Sequence, residues 1–106
     1  MSFGAMFPTV RISATGTSKS VAIPAGAPSC HISNTSSSLA VYVAFGVGAA
    51  TAVIPTADSA TGTMVYAVVA YETMTVDVPK GADYIAVIAS GAGPTDVLLT
   101  LGHDAA

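Results

Sequence analysis

The side chains best equipped for catalysis or metal binding in this chain are Cys30, His31, Asp77, Asp83, His103 and Asp104. A nucleophile–base pair or a metal centre needs such groups to converge, and their spacing works against it. Cys30 and His31 are adjacent, and in an extended strand neighbouring side chains point to opposite faces. From that geometry they form no dyad and chelate no common ion. A core cysteine beside an exposed histidine is the expected arrangement. His103-Asp104 falls in a segment expected to be a frayed C-terminal tail. A metal site combining it with His31 would have no ligand-spacing motif behind it.

Asp77 and Asp83 flank Pro79-Lys80-Gly81. Paired carboxylates perform acid–base chemistry in glycoside hydrolysis. Around a tight turn, two aspartates are expected instead to keep the turn solvated or to pair with Lys80. Serine is plentiful, yet no Gly-x-Ser-x-Gly elbow occurs. Gly46-Val47-Gly48 does not run on into a phosphate-binding fingerprint. The absence of tryptophan weakens a sugar-stacking platform, and Tyr42, Tyr66, Tyr71 and Tyr84 are expected in core or interface packing. No catalytic, cofactor or metal residue is therefore nominated, and a non-enzymatic protein is expected.

The elements that would position these residues are strands. Apolar residues alternate in seven runs: Val10-Ile12-Ala14, Val21-Ile23, Cys30-Ile32, Leu39-Val41-Val43-Phe45, Met74-Val76-Val78, Ile85-Val87-Ala89 and Val97-Leu99-Leu101. A period of two is the mark of a pleated strand with one buried face. Met64 to Ala70 reads as an eighth strand, with a helical turn as the alternative. Between the runs stand Thr15-Gly16-Thr17, Pro24-Ala25-Gly26, Asn34 to Ser38, Gly46-Val47-Gly48, Asp58 to Thr63, Pro79-Lys80-Gly81 and Gly91 to Pro94, all turn chemistry. The expectation is an all-β, two-sheet β-sandwich, jelly-roll-like, of about eight short strands. It occupies residues 10–102, between an N-terminal arm (1–9) and a C-terminal tail (103–106). The expected core is Val21, Ile23, Ile32, Val41, Val43, Phe45, Val76, Val78, Ile85, Val87, Leu99 and Leu101.

Charge is scarce. Three Lys or Arg and six Asp or Glu make up 8% of 106 residues, where soluble domains average about 25%. Three basic residues cannot build a phosphate-tracking stripe, so nucleic acid is not an expected partner. Leu39 to Ala57 is long and uncharged enough to raise the question of a membrane span. Gly46, Gly48 and Pro55 interrupt it, no basic residue flanks it closely, and its first half alternates as a strand does. No membrane association is expected. MSFGAMFPTV has no basic n-region, so a secretory signal is not expected either. A single cysteine allows no intramolecular disulfide, which fits folding in a reducing cytoplasm.

Two strands are apolar on both faces. Ala40, Tyr42 and Ala44, and likewise Tyr84, Ala86 and Ile88, fill the positions that a wet face would give to polar residues. Either this outer face is merely neutral or another subunit covers it. The arm carries Phe3, Met6 and Phe7 without a charge. It either reaches a neighbouring molecule or tucks under its own sandwich. Phe3, Met6, Phe7, Tyr42, Tyr84 and Ile88 are the candidate interface residues.

The block from Val76-Asp77-Val78-Pro79-Lys80-Gly81-Ala82 through Ile85-Ala86-Val87 to Ser90-Gly91 resembles a hairpin of the small capsid decoration (cement) proteins of tailed bacteriophages. Ile32-Ser33-Asn34-Thr35 followed by Ala40-Val41-Tyr42-Val43-Ala44-Phe45-Gly46 is similar to an upstream module of that group. The likeness spans roughly residues 10–102 and rests on compositional motifs. It implies a β-sandwich made in the host cytoplasm that sits on the outer capsid surface of the virion. It implies the major capsid protein and further copies of itself, as dimer or trimer, as partners, and no catalytic residues. A fibre base or tail component is a related alternative. A small ligand- or glycan-binding sandwich is the alternative from another class.

Overall fold

β-Branched and aromatic residues at alternate positions form the strands, and glycine- and proline-containing segments end them. The structure is a computed structural model. It describes residues 2–55 and 64–105, and side chains for 4–55 and 64–103. Nine strands run β1 (Ser2–Ala5), β2 (Val10–Ala14), β3 (Lys19–Ala22), β4 (Ser29–Asn34), β5 (Val41–Gly46), β6 (Tyr66–Val68), β7 (Thr73–Asp77), β8 (Tyr84–Ala89) and β9 (Thr95–Ala105). The fold is all-β, and the segment from Met64 to Ala70 contains strand β6.

The pairing is that of one long hairpin rolled up on itself. β2 pairs with β9, β3 with β8, β4 with β7 and β5 with β6, all antiparallel. Rolling then joins β4 to β9 and β5 to β8. The first sheet reads β1-β9-β4-β7, with β2 also on β9; the second reads β3-β8-β5-β6. This is jelly-roll connectivity, in which the two halves of the chain close one core.

The core lies between the sheets and uses the inward member of each alternating run. Ile12, Ile32, Val41, Val43, Ile85, Val87, Val97 and Leu99 are essentially inaccessible to solvent. Ile23, Val76 and Leu101 are buried as expected; Val21, Phe45 and Val78 are partly buried and pack against the same cluster. Cys30 and Val68 complete it.

Two boundaries differ from expectation. The arm is not a separate element: Ser2–Ala5 form β1, paired with Gly102 to Ala105. The tail is not frayed either, because β9 continues to Ala105. Both corrections have one cause. β1 and β2 lie end to end along β9, so the arm and the C-terminal end of β9 each supply the other with a hydrogen-bonding partner. Between them the chain bulges. Met6 and Phe7 both donate their N–H to the Leu101 carbonyl, at 2.9 and 3.2 Å, and Phe7 packs against the core. The expected turn at Asp58 to Thr63 lies outside the described residues.

Local chemistry fixes the turns. Ala82 donates its N–H to the Pro79 carbonyl at 3.1 Å, with Gly81 at φ +84°, the left-handed third position of a type II turn. A second turn has the same closure: Glu72 N–H donates to Val69 O at 3.0 Å. Its third residue is Tyr71, at φ 63°. A bulky side chain there costs about 1–3 kcal/mol of backbone strain.

Candidate interaction surfaces

The two sheets present unlike outer faces. On the first sheet, cross-strand rows are made of hydroxyl and charged groups that satisfy one another. Thr9 and Thr100 share a hydrogen bond at 2.7 Å, and His31 Nδ1 is 2.9 Å from Thr75 Oγ1. Thr73 Oγ1 donates to Ser33 Oγ at 3.4 Å. Arg11 and Asp96 form an ion pair at 3.0 Å. This is a face built for water.

On the second sheet, Tyr42 lies opposite Ile88, Ala44 opposite Ala86, and Gly46 opposite Tyr84. Ser20 and Ala22 of β3 extend two of these rows, opposite Ala86 and Tyr84. No charged side chain stands among them. The centre of this face is closed by the chain itself. After β5 the backbone doubles back, and Ala50 and Ala52 pack on Ala44 and Ala86, with Val65 and Ile88 beside them. Three features hold this strap. Gly48 N–H donates to Asp83 Oδ1 at 2.8 Å and Ala52 N–H to Ser18 Oγ at 2.9 Å. Gly46 lets the strap turn close, since a Cβ there would overlap the Ala49 carbonyl oxygen.

The apolar second face is thus resolved into two parts. Ala44 and Ala86 need no neighbouring subunit, because residues of their own chain bury them. Tyr42, Tyr84 and Ile88 flank the strap and stay half-buried. Of the arm residues, Phe7 belongs to the core, Met6 is exposed and Phe3 contributes backbone to β1, its side chain lying outside the described residues. The structure therefore does not bring the six candidate interface residues together. Tyr42, Tyr84 and Ile88 share a face, and the arm belongs to the other sheet.

The polar candidates are placed apart as well. Cys30 faces the core while His31 faces Thr75 on the outside. His103 stacks over Gly4, where a Cβ would come within 2.8 Å of its Nε2. Asp83 fastens the strap, and the Asp77 carbonyl accepts a hydrogen bond from Tyr66 Oη at 3.1 Å. Among the described residues no group of three or more His, Cys, Asp or Glu is placed to hold a metal. No described helix is long and apolar enough to cross a membrane.

Burial pushes the Cys30 thiol up to about 12. At neutral pH it is a packed thiol and not a nucleophile. Because the folded value lies above the unfolded one of about 8.5, its contribution to stability is complete below that pH and is lost as pH rises toward 12. Stability should fall by up to about 1.4 kcal/mol per pH unit across that window. The check is urea unfolding at a series of alkaline pH values. The Cys30→Ala variant, though less stable overall, should lose this component of the slope, and equal slopes would contradict the assignment.

Asn34 is a feature that strand patterning does not reveal. It is buried, and its Nδ2 reaches the carbonyls of Leu39, Val68 and Val69 at 2.8, 3.0 and 3.1 Å. Its Oδ1 accepts the Ser36 N–H at 3.0 Å. One side chain thereby ties the end of β4 in the first sheet to β6 in the second. The other such feature is an apolar groove of about 490 Å³ lined by Phe45, Met64, Val65, Tyr66 and Pro79. It lies at the open edge between the sheets, where the rings of Phe45 and Tyr66 meet edge to face at 6.1 Å.

Neither a protein-family model nor a curated protein nor a solved structure matches this chain.

Proposed function

We propose that the chain is a non-enzymatic virion protein, a capsid decoration or cement protein that binds the outer surface of a phage head and stabilises the shell. The observation that carries this reading is the contrast between the two outer faces. A sandwich seated on a shell needs one face for water and one for protein. The hydroxyl rows of the first sheet suit the former. The second face, whose cross-strand rows hold no charged side chain and where Tyr42, Tyr84 and Ile88 remain half-buried, suits the latter. Tyrosine at such a position supplies apolar area with a polar tip, the composition of interface anchors. The resemblance of the Val76–Gly91 and Ile32–Gly46 segments to phage cement proteins agrees with it, and jelly rolls recur among capsid domains.

The test is co-sedimentation of the purified chain with empty heads assembled from the major capsid protein. Saturable binding and a higher disruption temperature of the heads are expected. Tyr84→Glu should keep the melting temperature of the free domain within a few degrees and weaken head binding at least about tenfold. Heads that bind the variant as tightly as the parent, or bind neither, would count against the proposal.

A further inference from the structure

We propose that the strap of residues 47–55 is a detachable cover, which lifts as a unit while the sandwich stays folded and bares Ala44 and Ala86 at the centre of the second sheet's outer face. The inference rests on the proposed function, since that is the face assigned to the shell. The first observation is how the strap is held. Among the described residues no backbone–backbone hydrogen bond joins 47–55 to the rest of the fold. Its fastenings run to side chains, from Gly48 N–H to Asp83 Oδ1 at 2.8 Å and from Ala52 N–H to Ser18 Oγ at 2.9 Å. Both acceptors are only half-buried, so water replaces each bond when the strap lifts.

The second observation is how little the strap buries. Ala50, Ala52 and Ile54 are covered while Ala49, Thr51 and Val53 are exposed, so the segment lies one face down on the sheet, as a strand would, but without a ladder. Its contact with the strands beneath is methyl on methyl, Ala50 and Ala52 against Ala44 and Ala86. The inward faces of the same two strands bury Val41, Val43, Ile85 and Val87. Burial stabilises in proportion to apolar area, so lifting the strap costs a small part of what opening the core costs. Segments held in this way open locally, below the free energy of global unfolding. The third observation is placement. The Ala44–Ala86 row stands between the Tyr42–Ile88 and Gly46–Tyr84 rows. Without the strap, the alanines join Tyr42, Tyr84 and Ile88 into one continuous surface. Such a patch is a liability on a free chain, and the cover masks it until the shell takes the strap's place.

Thiol labelling of the free chain tests the opening. Cys30 is the sole native cysteine and is buried in the core, so it reports global unfolding. Ala44→Cys places a second thiol beneath the strap, and Ala86→Cys is the alternative probe if that variant does not fold. The covered thiol should react with a disulfide reagent at least about a hundredfold faster than Cys30. Ser18→Ala removes one fastening and should speed that reaction about fivefold. Because heads would bind only the open form, Ser18→Ala in the otherwise native chain should also tighten head binding about fivefold. A covered thiol that reacts no faster than Cys30 overturns this proposal and leaves shell binding standing. Heads that bind Ser18→Ala no more tightly than the parent overturn it too. Heads that do not bind the parent overturn the earlier reading, and the role of the strap with it.

Discussion

Val87→Asp should abolish folding. Val87 is fully buried on β8, between Lys19 of β3 and Val43 of β5. Its Cβ points into the space between the sheets, where the surrounding side chains are Val, Ile and Leu. Lys19, the cross-strand neighbour, is exposed, so its ammonium would have to leave water to reach a carboxylate there. An unpaired buried charge costs several kcal/mol even after it shifts its pKa to escape ionisation. A domain of this size is stable by only about 5–15 kcal/mol in total. The expected result is insoluble protein, or soluble protein with no cooperative unfolding transition. Leu98→Asp is the matched control. Leu98 is 37% exposed on the outer face, opposite Arg11, so a carboxylate there meets water and a cation. Its effect should stay within about 1 kcal/mol. A stable Val87→Asp protein beside an unfolded Leu98→Asp protein would mean that inner and outer faces are exchanged, as a one-residue register slip would do.

The second large effect is expected at Asn34. Its amide has two protons and three carbonyl neighbours, so at least one proton is shared. Asn34→Ala leaves the carbonyls of Leu39, Val68 and Val69 and the N–H of Ser36 without that partner. Buried polar groups left unsatisfied cost about 1–3 kcal/mol each, and partial access of water near the loop lowers the sum. A loss of about 3 kcal/mol in urea unfolding is expected. Asn34→Asp separates hydrogen bonding from volume. It keeps an acceptor for Ser36 but turns a carboxylate toward three carbonyl oxygens. The buried acid should therefore have a raised pKa, with its stability greatest below the unfolded value of about 3.9 and lost as pH rises. Asn34→Asp should accordingly recover part of its stability in acid, which Asn34→Ala should not. A change under about 0.5 kcal/mol for Asn34→Ala would show that the amide is not the tie between the sheets.

These two residues also mark the division between what was legible in the sequence and what was not. Val87 was legible: it is the inward member of an alternating run, and alternation is a local property of the pleat. The same reasoning located β2 to β5 and β7 to β9, and most of the core, from the sequence by itself; β6 lies in a segment that reads as a strand with a helical turn as the alternative. It also determined that Cys30 and His31 part company, and that the outer face at Tyr42, Tyr84 and Ile88 would be apolar. Scarcity of charge and the missing catalytic spacings are likewise written in the residues. Tertiary structure decided the rest, because those features depend on groups far apart in the chain. Asn34 meets Val68 across 34 positions and Ser18 meets Ala52 across 34, and no local period encodes either contact. The strap that seals Ala44 and Ala86 reads in the sequence as a glycine-rich turn. The arm and tail read as loose ends because each becomes a strand only through the other. Tyr71 reads as one more aromatic residue until the backbone sets it in a left-handed turn and leaves its ring in solvent.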